Sequence, residues 1–318
     1  MTAAPTVDAR TARPRLPRRD VHGVLLLDKP LGLTSNDALQ RVKRLYLARK
    51  AGHTGSLDPL ASGLLPICFG ETTKLSGFLL DADKYYSVSC RLGSRTATGD
   101  TEGAVVETKP VPTLSAARIE ATLARFRGEI LQVPPMYSAL RHQGKRLYDL
   151  ARDGVEVPRE ARALTIHELL LKSFSADSLE LDVSCSKGTY IRTLAEDLAA
   201  DLGTCGHVSR LRRVAVGPFG RDVPMHALAA LEALPTADLD KLLLPTDSAL
   251  AHWPEVSLAG DAAWYFGKGQ AVFVPGAPVS GRLRVYGDGR FLGVGEVAPD
   301  GRVAPKRLLN LPPLAVSH

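Results

Sequence analysis

The sequence predicts an α+β protein in which strands and helices mix, followed by a small all-β domain. Residues 84–92 and 179–185 alternate apolar and polar side chains, the period of a half-buried strand. After the turn at 186–189 the period changes to 3.6, which predicts strand, tight turn and helix. Ten of the 28 glycines lie in residues 251–318, between short alternating runs, which predicts the β domain.

Length and composition exclude some classes of protein. The chain has 318 residues, enough for two domains, and its 45% hydrophobic and 23% charged residues are typical of a packed globular protein. No apolar run approaches the ~20 residues of a membrane-spanning helix, so we expect no membrane partner.

The N-terminal residues are basic. Five arginines in residues 1–20 are compatible with an organellar transit peptide, but Asp8, Asp20 and the intervening prolines favour a disordered basic arm. There is no secretory apolar segment, so we expect a cytoplasmic protein. The net charge of +6 favours a polyanionic partner.

The four cysteines are far apart and form no Cys-x-x-Cys pair, which indicates a reduced chain without structural disulfides. Cys205-Gly206-His207 resembles half a metal site, yet no second pair stands at a zinc spacing, so we expect no metal. Phosphate-binding, dinucleotide-binding and nucleophile-elbow motifs are also missing from the sequence.

A buried strand is predicted at 23–28, with a turn at 29–32 and a helix cap at 34–37. Apolar residues at helical spacing then predict a helix that ends before Gly52, and a second helix over 115–127.

The loop at 52–63 is the strongest candidate for chemistry. Its glycines allow close approach of a backbone or ligand, and Pro59 restricts Asp58 to an extended conformation. An Asx turn is the ordinary interpretation of an Asp-Pro pair, and the nearby glycines and His53 weaken it.

Three other residues are candidates for the functional site, and the alternatives are ordinary structural roles. Arg192 falls in the first turn of a helix, where the dipole disfavours a cation, so an aspartate across a cleft would stabilise it. It could equally be a solvent-exposed arginine. Tyr190 lies on the same turn, whereas Tyr86 belongs to a core-facing set and is a buried aromatic unless its strand borders a cleft.

Residues 136–148 interleave basic side chains with tyrosines, a mixture suited to RNA phosphates and bases. The alternative is an amphipathic helix with Leu140, Leu147, Leu150 and Ala151 facing inward.

Together these motifs resemble the bacterial tRNA pseudouridine-55 synthase family, the TruB type. The match runs almost continuously from His22 to about Phe219 and more loosely through 302–307. Its most specific stretches are 52–70, 28–32 and 185–192. The resemblance implies the pseudouridine-synthase fold, with a mixed, mainly antiparallel central sheet flanked by helices, and a small PUA-like C-terminal β domain.

The resemblance also implies roles for individual residues. Asp58 matches the catalytic aspartate, and Arg192 the arginine that pairs with it. Four residues match substrate-binding positions of the family. His53 matches a histidine that helps to hold the displaced nucleotides, and Tyr86 the tyrosine that stacks on the flipped uracil. Tyr190 matches a residue that lines the same pocket, and Leu211 a leucine that contacts the target base. Lys29 and Pro30 match a motif that supports the active-site loop.

The implied organisation is an arm over 1–20, a catalytic domain over 21–248 with an RNA-binding insert at about 110–165, and a PUA-like domain over 249–318. The implied enzyme is a monomer that isomerises the T-loop uridine of tRNA with no cofactor and no guide RNA. Two alternatives stay open: a non-catalytic RNA-binding or RNA-folding factor, and a guide-RNA-dependent relative.

Overall fold

The computed structural model describes residues 17–311. Positions 1–16 of the predicted arm and 312–318 of the predicted C-terminal domain therefore lie outside the described residues. Arg19 lies inside, and its guanidinium is 2.8 Å from the Asp240 carboxylate while its backbone N–H donates to the carbonyl of Leu47 at 2.7 Å. These two contacts attach Arg19, near the end of the predicted arm, to the folded body.

The described residues contain two main sheets and two hairpins. The strands are β1 (Gly23–Lys29), β2 (Ala51–His53), β3 (Ala61–Phe69), β4 (Lys84–Leu92), β5 (Ser94–Thr96), β6 (Val105–Thr108), β7 (Gly128–Gln132), β8 (Arg141–His142), β9 (Lys145–Arg146), β10 (Arg162–Phe174), β11 (Ser178–Cys185), β12 (Gly206–Val216), β13 (His226–Ala227), β14 (Glu255–Leu258), β15 (Arg282–Gly287), β16 (Arg290–Val297) and β17 (Val303–Leu308). The α-helices are α1 (Ser35–Leu45), α2 (Ser76–Asp81), α3 (Ala116–Arg125), α4 (Leu147–Arg152), α5 (Ile191–Asp201), α6 (Leu228–Glu232), α7 (Thr236–Leu239) and α8 (Gly260–Gly267). Short 3₁₀ helices span Gly70–Leu75, Asp240–Leu242 and Thr246–Leu250.

The central sheet has nine strands in the order β13-β1-β3-β12-β4-β11-β10-β7, with β2 paired to β3 outside this path. Among the strand pairs described for this sheet, β1–β13 and β3–β12 are parallel and the others are antiparallel. The sheet is thus mixed and mainly antiparallel, which confirms the predicted fold class. Strands β3, β12 and β4 lie side by side in its middle, so residues far apart in the sequence converge there.

Local sequence signals account for the elements around this centre. The Thr34 side chain accepts a hydrogen bond from the backbone N–H of Asp37 at 3.1 Å and begins α1, as the capping pattern predicts. Ser115 caps α3 in the same way. The alternation predicted for 84–92 is confirmed in β4, where every second residue is buried.

The region from 136 to 148 is not the amphipathic helix that was one interpretation of its pattern. Strands β8 and β9 form a two-residue hairpin, and a helix begins only at Leu147. The turn residues Gln143 and Gly144 both have positive φ, 48° and 86°. This is the backbone of a tight hairpin turn, which a right-handed helix cannot contain.

The two faces of β1 separate two hydrophobic cores. Leu25 and Leu27 pack into the main core with α1, α3 and α5. Val24 and Leu26 point the other way, into a second core that includes Phe291 of β16. The C-terminal module, residues 255–308, is therefore packed directly against the central sheet.

The C-terminal module has a four-stranded sheet in the order β14-β15-β16-β17, which confirms the predicted small β domain. It also contains α8, a helix that the sequence did not predict. Among the described residues, no helix is both long and apolar enough to cross a membrane. The limits proposed for the domains and for the insert stay predictions.

One test of this packing uses two aromatic residues of α8. Phe266 is fully buried in the core of the C-terminal module, whereas 59% of Trp264 is exposed. We expect Phe266→Ala to lower the free energy of unfolding by about 3–5 kcal/mol, because it removes a buried ring and leaves a cavity. Trp264→Ala should change that free energy by less than about 0.5 kcal/mol. Urea denaturation, followed by the circular dichroism of the backbone so that loss of a tryptophan does not change the signal, measures the free energy of unfolding of each variant. Equal losses in the two variants would contradict the placement of Phe266 in the core.

Candidate active site

Asp58 lies in the loop between β2 and β3, and hydrogen bonds with the first residue of α1 and with the turn before α1 hold this loop in place. The backbone N–H of Leu57 donates to the Ser35 hydroxyl at 2.7 Å, and the N–H of Gly32 donates to the carbonyl of Pro59 at 2.8 Å. Since these bonds bracket Asp58, the backbone that carries the carboxylate is fixed on both sides.

Lys29 supports this loop from behind. Its ammonium group is fully buried and donates to the carbonyls of Pro30 at 2.9 Å and Leu33 at 2.6 Å. Burial lowers the pKa of Lys29 to about 8, while the Asp58 carboxylate favours its charged form. The supporting position predicted for Lys29 and Pro30 agrees with this arrangement: Lys29 and the Pro30 carbonyl fix the turn on which the loop rests.

Arg192 pairs with Asp58 as the sequence suggested. The Nε atom of Arg192, in the first turn of α5, is 3.0 Å from the Asp58 carboxylate. The remaining nitrogens donate to the carbonyls of Thr98 and Tyr137, each at 2.6 Å. Arg192 is 6% exposed, so the alternative of a solvent-exposed arginine is wrong.

A second carboxylate, which sequence reasoning did not identify, completes this cluster. Asp100 is buried, and its carboxylate lies 3.8 Å from Nε of Arg192. It also accepts hydrogen bonds from the Thr98 hydroxyl at 2.5 Å and from the N–H of Glu102 at 3.0 Å. No signal in the sequence marks Asp100, because its link to Arg192 spans 92 positions and exists only in the fold.

The surroundings of Asp58 act on its pKa in opposite directions. Burial raises the pKa above its usual range, the Arg192 guanidinium lowers it, and the like charge of Asp100 raises it again. The balance is a raised pKa, so the carboxylate is less acidic than a free aspartate and a better proton acceptor.

Five of the predicted site residues line one cleft of about 290 Å³: Asp58, Tyr86, Tyr190, Arg192 and Leu211. Tyr86 and Leu211 reach it from the neighbouring strands β4 and β12. Tyr190 is the residue before α5, and its backbone exchanges two hydrogen bonds with the Gln132 side chain, at 2.8 and 3.1 Å. Strand β4 does border a cleft, which is why Tyr86 belongs both to the core-facing set and to the site.

His53 is not among the residues that line this cleft. It ends β2, and within the described part of the chain its buried Nδ1 has no hydrogen-bond partner. Burial, together with the charge of Arg213, lowers the pKa of His53, so the ring is neutral at pH 7. Pro30 also lies outside the cleft and borders a separate groove with Asp28 and Leu31.

Two cations that the sequence analysis did not assign also line the cleft, Lys84 and Arg213. Arg213 lies directly across from Tyr86 in the β4–β12 pairing, and its guanidinium donates to the carbonyls of Leu64 at 2.8 Å and Gly55 at 3.1 Å. Gly63 allows this close packing, since a Cβ atom there would be 2.1 Å from the carbonyl oxygen of Arg213. Strand alternation offers the missed signal: Arg213 is two residues after Leu211, and Lys84 two before Tyr86.

The insert contributes one wall of the cleft, through Ser138 and Ala139. Its hairpin and α4 expose basic residues beside a tyrosine: the guanidinium carbons of Arg146 and Arg152 lie 5.6 and 5.5 Å from the centre of the Tyr148 ring. A cleft bounded by a basic and aromatic segment can receive a planar ring, which stacks on an aromatic side chain inside the cleft. The basic side chains can bind phosphates outside the cleft.

Comparison with protein families places matches along most of the chain. Residues 43–191 match the N-terminal domain of the TruB family of pseudouridylate synthases. Residues 192–251 match the tRNA pseudouridylate synthase B C-terminal domain, and residues 254–309 match the C-terminal region described as pseudouridine synthase II TruB.

Individual proteins agree with these matches. The tRNA pseudouridine synthase B of Serratia proteamaculans is 55% identical over 309 residues, which cover 94% of this chain and 98% of that protein. The protein of the same name from Nitrosococcus oceani is 55% identical over 93% of this chain and 97% of its own length. Among solved structures, a Cbf5-Nop10-Gar1 complex contains a chain with a TM-score of 0.68 and 25% identity, covering 87% of this chain and 78% of that one.

The electrostatics of the Asp58 cluster can be tested directly. We expect Asp100→Asn to lower the pKa of Asp58, because it removes a neighbouring negative charge that disfavours the ionised carboxylate. A ¹³C NMR titration of labelled aspartate carboxyls measures this pKa, with the resonance assigned from Asp58→Asn. Asp261→Asn, a change at an exposed aspartate of α8, should leave it unchanged. An Asp58 pKa that stays constant or rises in Asp100→Asn would contradict the cluster.

Proposed function

Because the chain belongs to the TruB family of pseudouridylate synthases, we propose that it isomerises uridine 55, in the T loop of tRNA, to pseudouridine, with Asp58 as the catalytic residue. The observation that carries the proposal is the ion pair between Asp58 and the buried Arg192, at a cleft that Tyr86, Tyr190 and Leu211 also line. Pseudouridine synthases are isomerases, and the relatives that match almost the full chain bear the name tRNA pseudouridine synthase B.

The reaction breaks the N1–C1′ bond of uridine, turns the uracil and joins its C5 to C1′. The proton lost from C5 is balanced by the proton gained at N1, so the chemistry balances without an oxidant or a net addition of water. The ionised carboxylate of Asp58 acts on the ribose, either by attacking C1′ or by removing the 2′ proton. Its raised pKa suits the second task, and its pairing with Arg192 retains the charge that both tasks need.

The target base has to leave its stack to reach Asp58. Extruding a nucleotide costs a few kcal/mol, about as much as stacking on one aromatic ring returns, ~1–3 kcal/mol. Tyr86 provides that ring: it is 9% exposed and lines the cleft together with Leu211 and Lys84. The apolar Leu211 side chain closes the same wall.

Exposed cations then hold the RNA outside the cleft. Arg141, Lys145 and Arg146 of the insert hairpin are all exposed, and α1 adds Arg41 and Arg44. Contacts to phosphates of this kind position the RNA without reading its sequence. We therefore expect shape to decide which loop enters the cleft.

We also propose that the protein modifies tRNA without a guide RNA or partner proteins. One solved structure that resembles this chain is a Cbf5-Nop10-Gar1 complex, and another, 20% identical with a TM-score of 0.68, is an H/ACA RNP bound to a substrate RNA. The relatives named tRNA pseudouridine synthase B are 55% identical and match over almost their full length. This difference favours the stand-alone enzyme over a guide-dependent one.

The first prediction for this function concerns Asp58. Wild-type protein, with unmodified tRNA transcript, EDTA and no guide RNA, should produce a single pseudouridine in the T loop, mapped by carbodiimide-blocked primer extension. Asp58→Asn should give none, while its affinity for tRNA changes by less than about threefold, because the neutral amide keeps the shape of the carboxylate. Product formation by Asp58→Asn would overturn the mechanism. Bound tRNA without product in either protein would favour a non-catalytic RNA-binding factor.

The second prediction concerns Tyr86. Tyr86→Leu should slow single-turnover conversion far more than it weakens tRNA binding, since the ring contacts only the extruded base and not the phosphates. The expected loss of stacking is about 1–3 kcal/mol, which is roughly 5- to 150-fold in rate. Tyr86→Phe, which retains the ring, serves as the matched control and should retain most of the rate. A loss of affinity equal to the loss of rate would contradict the stacking role.

A further inference from the structure

Two cations in the cleft have no carboxylate partner in the described part of the chain. Arg213 is 1% exposed and Lys84 is 8% exposed, and neither has an acidic oxygen within 4.0 Å among residues 17–311. Arg192, by contrast, lies between Asp58 and Asp100. Burying a charge without a counterion is expensive, so an unpaired buried cation in a cleft calls for an explanation in the reaction.

Main-chain carbonyls bind both cations but do not neutralise them. Lys84 donates to the carbonyl of Leu80 at 2.6 Å and to that of Ala82 at 2.5 Å. Arg213 donates to the carbonyls of Leu64 and Gly55. Dipoles hold the two side chains in fixed positions, which leaves a net positive charge beside the Tyr86 ring.

We infer that Arg213 and Lys84 stabilise the negative charge that develops on uracil when its bond to the ribose breaks. This inference rests on the proposed function. When N1–C1′ breaks, the electron pair stays on the uracil, while Asp58 engages the ribose. The uracil anion carries its charge on N1 and on its carbonyl oxygens until the pair forms the new C5–C1′ bond. It is the counterion that the two cations lack.

The strand geometry places the cations where this charge forms. Arg213 and Tyr86 are cross-strand partners in β12 and β4, and Lys84 shares the cleft-facing side of β4 with Tyr86. A base stacked on Tyr86 would therefore share the cleft with both cations. Burial, with the neighbouring charge of Arg213, lowers the pKa of Lys84 to about 8, which leaves its ammonium group mainly protonated at pH 7.

A change of leaving group separates this electrostatic role from a merely structural one. A fluorine at C5 withdraws electrons and stabilises the uracil anion by itself, so 5-fluorouridine needs less help from the protein. We expect Arg213→Met to slow disappearance of uridine in a T-stem-loop RNA by about 10²- to 10³-fold, the size of effect found when one anion-stabilising donor is removed. With 5-fluorouridine at the target position, the slowing should be at least tenfold smaller. Single-turnover reactions, nuclease digestion and chromatography of the nucleosides measure both rates.

The controls keep the inference distinct from the proposed function. Arg213→Lys and Lys84→Arg keep the charge and should recover part of the rate, whereas Lys84→Met should show the same dependence on fluorine. Arg91→Met, at a 54%-exposed side chain of β4 paired with Asp177, should slow both substrates equally little. If Arg213→Met does not fold, Lys84→Met provides the test.

Equal slowing of uridine and 5-fluorouridine, in a folded variant that still binds RNA, would overturn the inference, because a displaced loop affects both substrates alike. That result would leave the proposed function intact as long as wild-type protein converts uridine. If wild-type protein converts no uridine, the proposed function itself fails, and the inference fails with it.

Discussion

The arrangement of the cleft depends on one buried guanidinium. Arg192 joins three segments that are distant in the sequence: the loop of Asp58, the turn that carries Thr98 and Asp100, and the start of the insert at Tyr137. Removing a guanidinium from water is costly, and only a full set of partners offsets that cost. The chain therefore gains this stabilisation only when all three segments are in place, so the position of Asp58 and the closure of the cleft are linked.

The loop that carries Asp58 is also held by buried polar groups whose hydrogen bonds are satisfied. Ser35 exchanges two hydrogen bonds with the backbone of Leu57, and the Lys29 ammonium group is bound by two carbonyls of the preceding turn. These contacts are buried, where an unmade hydrogen bond costs about 1–3 kcal/mol. A loop held this way presents its carboxylate in one direction, which is what the proposed reaction at a single ribose atom requires.

Sequence periodicity predicted the elements whose stability is local and failed where distant contacts decide. Strand β4 and helix α1 follow from alternation and from the Thr34 cap, and their positions were predicted closely. The hairpin in the insert was not predicted, because its tight turn depends on positive φ at Gln143 and Gly144, and a glutamine rarely adopts that conformation. Helix α8 is short, and tertiary packing of Phe266 determines it more than its own sequence does.

The same distinction applies to the site. Resemblance to a family identified Asp58, Arg192 and the aromatic residues, and the fold brings them to one cleft. Asp100 could not be found, since a lone Gly-Asp pair is common and only the three-dimensional structure sets it beside Arg192.

Breaking a glycosidic bond separates charge, leaving the ribose electron-poor and the base electron-rich. In the proposed reaction the Asp58 carboxylate acts on the ribose, and Arg213 and Lys84, which have no carboxylate partner among residues 17–311, face the base. Because these two cations are buried, water screens their charges less than it would at the surface.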